Sequence, residues 1–211
     1  MHIETFSLGP LGTNCYIVSK DKECLIIDPG GDAPIIDQYL ESEGLKPLAI
    51  LLTHAHYDHI GALEEIRKTH NLEVYLHENE KHWLEDANLN RSSFFVEGGF
   101  STKAPENILT AGKLDIGPFS CDVVHTPGHS PGSVSFIFKE HDFVVSGDVL
   151  FRRGIGRTDL PEGSIEQLAD SIASHLYKLP DNFIVYPGHG PQTAIGEEKE
   201  SNPFTLQFFR P

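Results

Sequence analysis

Three histidines and an aspartate lie within six residues of one another, directly after the apolar run PLAILL. The segment 53–59 reads THAHYDH. Neutral imidazole and carboxylate groups are ligands for zinc, iron and manganese. His54 and His56 are two residues apart, so on an extended chain they point the same way and can share one ion. Asp58 and His59 fall on another side, so the segment predicts sites for two neighbouring metal ions.

Four ligands in one segment cannot complete two sites, so further ligands must come from distant parts of the chain. Three more polar residues follow apolar runs: His129 in VVHTPGHS, Asp148 in FVVSGD and His189 in IVYPGHGP. Each lies beside a glycine, which permits a tight turn and a close backbone approach. Sheet scaffolds assemble sites from loops at the ends of strands. The pattern therefore predicts that these polar clusters meet at strand ends.

Short β-type runs and amphipathic stretches must position these residues. Helices are expected after the turn DPGGD (28–32), with Asp32 as the N-cap and Pro34 in the first turn, and from Ser164 with a capping-box pattern. Two further helices are expected at 60–69 and 78–86, and a long loop at 87–106. Strands are predicted at 2–8, 13–19, 24–28, 47–52, 74–77, 119–125, 134–139, 143–146 and 183–186. This order favours two sheets with helices outside them.

The composition excludes several classes of protein. The 211 residues include 16 Lys and Arg against 31 Asp and Glu, a net charge of −15, and 39% are hydrophobic. This apolar share supports a folded core, and the acidic balance argues against nucleic-acid and anionic-membrane partners. No apolar run approaches the ~20 residues of a membrane-spanning helix. No secretory signal is visible and the three cysteines form no disulfide pattern, so we expect a single cytoplasmic domain over 1–211.

The motifs THAHYDH, HTPGHS, SGD and YPGHGP resemble, in order and identity, those of the metallo-β-lactamase fold hydrolases. The resemblance implies an α+β fold, the αββα four-layer sandwich, with a dinuclear metal site. It assigns one ion to His54, His56 and His129, and the other to Asp58, His59 and His189. Asp148 would bridge the two ions, and Asp58 would also orient a bridging hydroxide that acts as the nucleophile. We expect two divalent ions, zinc first, with iron or manganese as alternatives.

The segment GDVLFRRGIGRTDLPEGS resembles the compact glyoxalase II-like branch, which hydrolyses thioesters such as S-lactoylglutathione. The resemblance implies a small-molecule thioester as substrate. Longer members of that branch bind glutathione with a C-terminal helical domain, which we do not expect here, so another small thiol could carry the acyl group. The alternatives are a lactone or phosphodiester hydrolase, a non-catalytic metal-binding protein, and a persulfide dioxygenase. The dioxygenase would bind a single iron through His54, His129 and Asp148.

Residues around the ligands are candidates for secondary roles. His125 precedes His129 by four residues and could hold a ligand by a hydrogen bond. Arg157 and Asp159 are expected to form an internal ion pair. The loop 87–106 could form a wall of the substrate site through Phe94, Phe95 and Phe100, or bury one or two of these rings in the core. Candidate substrate contacts close to the metal ligands are Tyr57, Phe151, Arg152 and Arg153.

Overall fold

The computed structural model describes residues 1–208, and it divides them into two compact units. The first unit contains 1–109 and 115–120, and the second contains 110–114 and the described residues from Cys121 onward. Each unit is centred on a six-stranded sheet. Among the described residues, no helix is both long enough and apolar enough to cross a membrane.

The first sheet has its strands in chain order, antiparallel at the start and parallel afterwards. The middle strands are apolar because both of their faces are covered. Helices α1 (Ala33–Glu43), α2 (Leu63–His70) and the short α3 (Ser92–Phe95) belong to this unit. Its strands are β1 (His2–Leu8), β2 (Thr13–Lys20), β3 (Glu23–Ile27), β4 (Lys46–Leu51), β5 (Glu73–His77) and β6 (Asn107–Leu109).

A single apolar core joins this sheet to its helices. Ile26 and Ile50 of the central strands pack in the same cluster as Ile36 of α1 and Leu63 and Ile66 of α2. All five side chains are completely buried. Full burial of such a side chain contributes roughly 1.5–3 kcal/mol each, so the ends of β3 and β4 are held firmly against the helices. The turns that carry the candidate metal ligands begin at these fixed strand ends.

The strands of the second sheet are β7 (Gly112–Ile116), β8 (Phe119–His125), β9 (Val134–Phe138), β10 (Phe143–Gly147), β13 (Ile184–Pro187) and β14 (Thr193–Ala194). Their order in the sheet is β14-β13-β10-β9-β8-β7, with β10 and β13 parallel and the β8, β9 and β10 neighbours antiparallel. The hairpin β11 (Leu150–Phe151) and β12 (Gly154–Ile155) comes after β10. The helices of this unit are α4 (Ile165–Ser174), α5 (Ile195–Ser201) and α6 (Thr205–Phe208).

The start of α4 agrees with the sequence pattern. Ser164 is the N-cap, and its hydroxyl accepts a hydrogen bond from the backbone N–H of Gln167 at 3.3 Å. Leu168 and Ile172 are completely buried in the second unit's core. This helix packs against the turn that carries Gly128, where an added Cβ would lie 2.2 Å from the Leu168 nitrogen. The His129 turn and α4 are therefore packed backbone to backbone.

Three local predictions are wrong. The stretch 78–86 forms a short 3-10 turn at Glu78–Glu80 and further turns, because its backbone bonds span three residues, as from Trp83 N–H to Glu80 O at 2.8 Å. Asp32 begins α1 without capping it. Its backbone is left-handed, with φ 49°, and its carboxylate accepts the Gly9 N–H at 2.7 Å. Helix α2 begins at Leu63, three residues later than expected.

Candidate metal centre

The first unit gathers four of the candidate ligands on the connection between β4 and α2. His54 and His59 are completely buried, and His56 and Asp58 nearly so. His54 and His56 each offer a ligand nitrogen within 4.8 Å of the other's. The Nε2 atom of His59 lies 3.5 Å from Oδ2 of Asp58. The side chains expected to bind two ions thus form two adjacent pairs, His54 with His56 and Asp58 with His59.

A buried carboxylate, Asp28, fixes the orientation of this segment. It directly follows β3 and accepts the backbone N–H of Thr53 at 2.8 Å, the Thr53 hydroxyl at 2.6 Å and the His59 Nδ1–H at 3.0 Å. Because the Thr53 hydroxyl donates to Asp28, its oxygen accepts the Nδ1–H of His54 at 3.1 Å. Both imidazoles therefore carry their proton on Nδ1 and the lone pair on Nε2. This is the tautomer that a metal ligand of this kind requires.

Two further polar residues hold the ligand segment from the sides. The Thr13 hydroxyl donates to Oδ2 of Asp58 at 2.8 Å, which orients that carboxylate. The completely buried Glu80 carboxylate accepts the backbone N–H of Ala55 at 2.6 Å. Trp83 then packs its indole 5.6 Å from the His56 ring. The segment is thus held by hydrogen bonds and packing on several sides.

The DPGGD turn lies directly against the ligand segment. A Cβ on Gly30 would lie 2.1 Å from the Asp58 carbonyl oxygen, and a Cβ on Gly61 would lie 2.3 Å from the Gly30 carbonyl oxygen. Contacts this short exclude any side chain at either position. The backbone N–H of Ala62 also donates to the Pro29 carbonyl at 2.9 Å. Glycine at these positions is therefore needed to bring the two backbones together.

The second unit gathers the other three candidate ligands at the ends of β8, β10 and β13. Oδ2 of Asp148 lies 3.5 Å from Nε2 of His129 and 3.6 Å from Nε2 of His189. One carboxylate oxygen is thus nearly equidistant from two imidazole nitrogens. A carboxylate in this position can neighbour the ions that both histidines would bind. His189 is the most exposed of the three, with 28% of its side chain accessible.

The His129 ring is held in the metal-binding tautomer as well. A carbonyl oxygen can only accept, so the 2.9 Å contact of His129 Nδ1 with the Arg157 carbonyl identifies Nδ1 as the protonated nitrogen. Arg157 itself forms the expected bidentate pair with Asp159, at 2.7 and 2.8 Å. That pair holds the pKa of Asp159 down at about 2, through the side-chain hydrogen bonds from Arg157. Gly156 lies so close to Asp148 that a Cβ would be 1.9 Å from its carbonyl oxygen.

The donor set of each unit fits divalent metal ions. Buried imidazoles with the lone pair on Nε2, together with carboxylates, are the groups that zinc, iron or manganese binds. The carboxylates Asp58 and Asp148 each contribute a negative charge to a donor set whose other members are imidazoles. Such buried carboxylates beside imidazoles favour bound cations. The chemistry supported is metal-assisted attack on an electrophilic centre.

The residues predicted to contact substrate, and His125, each have different neighbours in the structure. The Tyr57 ring is stacked on Phe95 with centroids 5.1 Å apart, and desolvation and the nearby Asp58 raise the pKa of its hydroxyl. The Phe151 ring meets His189 edge-on at 6.3 Å. Arg152 and Arg153 line a shallow cavity with three glutamates, one of which, Glu198, accepts the backbone N–H of Arg153 at 2.8 Å. His125 hydrogen-bonds through Nε2 to the Pro131 carbonyl at 2.9 Å.

Sequence reasoning overlooked four positioning residues. Asp28 is the last residue of the strand predicted at 24–28, beside the DPGGD glycines, and Thr53 immediately precedes the first histidine. A carboxylate or hydroxyl next to a metal-binding motif is a signal for such roles. Thr13 and Glu80 had no signal, because their partners lie 45 and 25 residues away along the chain.

Comparison with known proteins relates the whole arrangement to one family. The profile of the Metallo-beta-lactamase superfamily matches residues 8–189. A Bacillus subtilis (strain 168) protein named "Probable metallo-hydrolase YqgX" is 50% identical over 202 residues, covering 95% of this chain and 96% of that protein. "Hydroxyacylglutathione hydrolase GloC" of Haemophilus influenzae is 36% identical over 207 residues, covering 97% of this chain and 98% of that protein.

Two solved structures are similar to this chain over nearly the whole length of both chains. The crystal structure of BLEG-1 B3 metallo-beta-lactamase superposes with a TM-score of 0.94 at 48% identity, covering 97% of this chain and 99% of that one. The structure of TTHA1623 in a di-iron-bound form has a TM-score of 0.85 at 40% identity, covering 95% of this chain and 99% of that one. These similar proteins carry different names for their activity, so the fold and the family do not by themselves select a substrate.

Proposed function

The chain belongs to the metallo-beta-lactamase superfamily, and from that membership and its ligand chemistry we propose that it is a dinuclear metal-dependent hydrolase of small-molecule thioesters. The observation that carries the proposal is the fixed tautomer of three ligand histidines, His54, His59 and His129, together with the Asp58 carboxylate that the Thr13 hydroxyl orients. The likeness to a hydroxyacylglutathione hydrolase over nearly the full length of both chains supports the thioester class. We also propose a cytoplasmic location, supported by three buried free thiols.

In this proposal the seven ligands hold two ions, with zinc as the first candidate and iron or manganese as alternatives. The neighbour in a di-iron-bound form supports a two-metal site. One ion would be held by His54, His56 and His129, the other by Asp58, His59 and His189, with Asp148 shared. When bound, the metal pair would supply Lewis acidity and a nucleophile at neutral pH.

The residues of the chain would orient and position the reacting groups. Asp58, held by the Thr13 hydroxyl, accepts a hydrogen bond in a fixed direction and can orient an attacking water. Asp28 and Thr53 keep the imidazole protons on Nδ1, so that no proton competes at Nε2. A thiolate departs readily, because thiols ionise near pH 8.5, far more easily than amines or alcohols lose a proton. A thioester therefore makes smaller demands on a proton donor than an amide does.

The test is a substrate panel on the purified, metal-loaded protein. It contains S-lactoyl conjugates of several small thiols, a lactone, a β-lactam and a bis-phosphodiester. We expect kcat/KM to be highest for a thioester, measured by thiol release. A higher value for the lactone or the phosphodiester would overturn the thioester assignment. An oxygen-consuming reaction with a persulfide, together with one iron per chain, would identify the dioxygenase instead.

β-Lactam hydrolysis is the second candidate, favoured by the 48% identity to a protein described as a B3 metallo-beta-lactamase. The same panel separates the two reactions, because ring opening is followed by absorbance and thiol release by a thiol reagent. A β-lactam turned over faster than every thioester would replace the first proposal by this second one.

The shared ligand is tested by replacing Asp148 with alanine. We expect Asp148→Ala to bind fewer than two ions per chain and to lose activity. Asp122→Ala is the matched control, because Asp122 is a carboxylate of the same unit that pairs with Lys139 at the surface. Two ions per chain in Asp148→Ala, measured by elemental analysis, would refute the bridging assignment.

A further inference from the structure

A small apolar surface lies beside the ligand segment, and the proposed reaction does not use it. It consists of Phe94, Phe95 and Val96, at the end of α3. The two phenylalanines are 66% and 61% exposed and the valine 37%. Large apolar side chains exposed next to one another on a folded protein commonly mark a binding surface. We call these three residues the aromatic wall.

The wall is continuous with the ligand segment through Tyr57. The Phe95 and Tyr57 rings are stacked at 5.1 Å and 12°, and Tyr57 stands between His56 and Asp58 in the chain. The backbone N–H of Tyr57 also donates to the carbonyl of Asn90 at 2.8 Å. An apolar group lying on the wall would therefore be close to groups that bind the reacting centre.

The wall is a fixed part of the fold. The Ser92 hydroxyl donates to the Phe100 carbonyl at 2.8 Å and accepts the Phe100 N–H at 2.9 Å, and the Asn90 amide donates to the same carbonyl at 3.0 Å. Arg91 between them adopts a left-handed backbone with φ 74°. This conformation is unfavourable for a side-chain-bearing residue and persists only where its surroundings impose it. The phenylalanines are thus held exposed by an ordered loop.

The area of the wall suits a small ligand better than a second protein. A phenylalanine buries roughly 150–250 Å² when fully covered, so two rings exposed by about two thirds offer about 250 Å² between them. A stable protein interface needs about 800 Å² from each partner. The free area matches a short acyl chain or a single ring of a substrate.

We propose that the aromatic wall binds an apolar acyl group, so that the preferred substrates are thioesters of medium-length or aromatic acids. The inference rests on the proposed thioester hydrolysis. A lactoyl group is small and polar and a glutathionyl group is charged, so contact with two phenyl rings does not strengthen the binding of either. Contact with the rings does strengthen the binding of an alkyl chain, because each methylene removed from water increases the affinity by up to about fourfold.

Binding and hydrolysis are measured separately in the test. The metal-loaded protein is titrated calorimetrically with non-hydrolysable S-alkyl thioethers of N-acetylcysteamine, from methyl to hexyl. We expect Kd to fall by about twofold for each methylene, about half of the full transfer effect. The dependence of Kd on chain length should disappear in Phe95→Ala and become smaller in Phe94→Ala. Phe204→Ala, a change at another half-exposed phenylalanine, should follow the unchanged protein.

The outcomes distinguish the two proposals. Length-dependent thioether binding without cleavage of the matching acyl thioesters would support the wall and overturn the proposed function. Cleavage with chain-length-independent affinities, or an unchanged slope in Phe95→Ala, would support the function and overturn the wall. A dimer in sedimentation velocity that becomes monomeric on Phe94→Ala would show that a second copy covers the wall, and would also overturn the inference.

Discussion

Replacing Asp28 with asparagine tests whether a single carboxylate sets the tautomers of two ligand histidines. The change keeps the size of the side chain and removes its charge. Three donors surround the carboxylate: Thr53 N–H on Oδ1, and the Thr53 hydroxyl and His59 Nδ1–H on Oδ2. An amide presents one acceptor and one donor, so in either orientation its NH₂ group meets at least one of these donors.

The expected magnitude follows from that conflict. Hydrogen bonds to a charged group contribute about 1.5–3 kcal/mol each, and a buried donor left facing another donor costs about 1–3 kcal/mol. His59 can relieve the conflict by moving its proton to Nε2, which removes the lone pair that would bind a metal. A loss of this size corresponds to roughly 10–100-fold weaker metal binding. We expect Asp28→Asn to show that loss.

The assay is a competition titration of the metal-free protein with a chromophoric chelator. Asp37→Asn is the matched control, since Asp37 also accepts from a histidine of this unit, His70 at 2.7 Å, at a half-exposed site. Thermal unfolding of the metal-free variants reports whether the fold survives. If a folded Asp28→Asn binds metal within twofold of the unchanged protein, Asp28 does not set the histidine tautomers.

Three further predictions concern backbone contact, thiol reactivity and pH. Gly30→Ala should lower the free energy of unfolding by about 1–3 kcal/mol and reduce the number of bound ions, because its Cβ would lie 2.1 Å from a carbonyl oxygen. Gly154→Ala is the control: its nearest contact is at 3.5 Å, so it should match the unchanged protein in thermal unfolding and metal content. The thiol of Cys24, whose pKa burial raises to about 12, should react with a thiol reagent at pH 8 only after unfolding, and fast reaction of the native protein would contradict its burial. Because Arg157 lowers the pKa of Asp159 from 3.8 to about 2, the stability that this pair contributes is present above pH 4 and lost between pH 4 and 2. The difference in unfolding midpoint between Asp159→Asn and the unchanged protein should disappear over that range, and a difference that persists at pH 2 would refute it.

The sequence predicted those parts of the fold that depend on local pattern. The membership of the superfamily, the α+β class and two sheets are confirmed. Alternation and apolar runs located nine of the strands, and the Ser164 pattern located the start of α4. Strands β6 and β7 were not predicted. The hairpin β11–β12 and strand β14 also escaped prediction, because two-residue strands carry too few positions for a period. The assignment of the seven ligands to two ions stays a prediction.

Two of the wrong local predictions, the helix at 78–86 and the cap at Asp32, share a cause: in each, a carboxylate accepts a backbone N–H from a distant part of the chain. The pattern around Glu80 is helical by composition, and Asp32 is a good helix cap by type. The buried Glu80 carboxylate accepts a hydrogen bond from the Ala55 N–H, and the Asp32 carboxylate accepts one from the Gly9 N–H. Long-range hydrogen bonds of this kind override local propensity, and no window of sequence contains both partners.

The DPGGD turn shows how strain and function are coupled in this molecule. Asp28 and Asp32 both adopt left-handed backbones, at φ 52° and 49°, which cost about 1 kcal/mol or more each in residues with a Cβ. The side-chain hydrogen bonds that offset this cost at Asp28 all lead to Thr53 and His59. Gly30 then brings its backbone against Asp58. The turn is therefore stable only when the ligand segment is in place, and the ligand segment has its metal-binding tautomers only when the turn is in place. Because each depends on the other, we expect the two segments to order together during folding, before any metal binds.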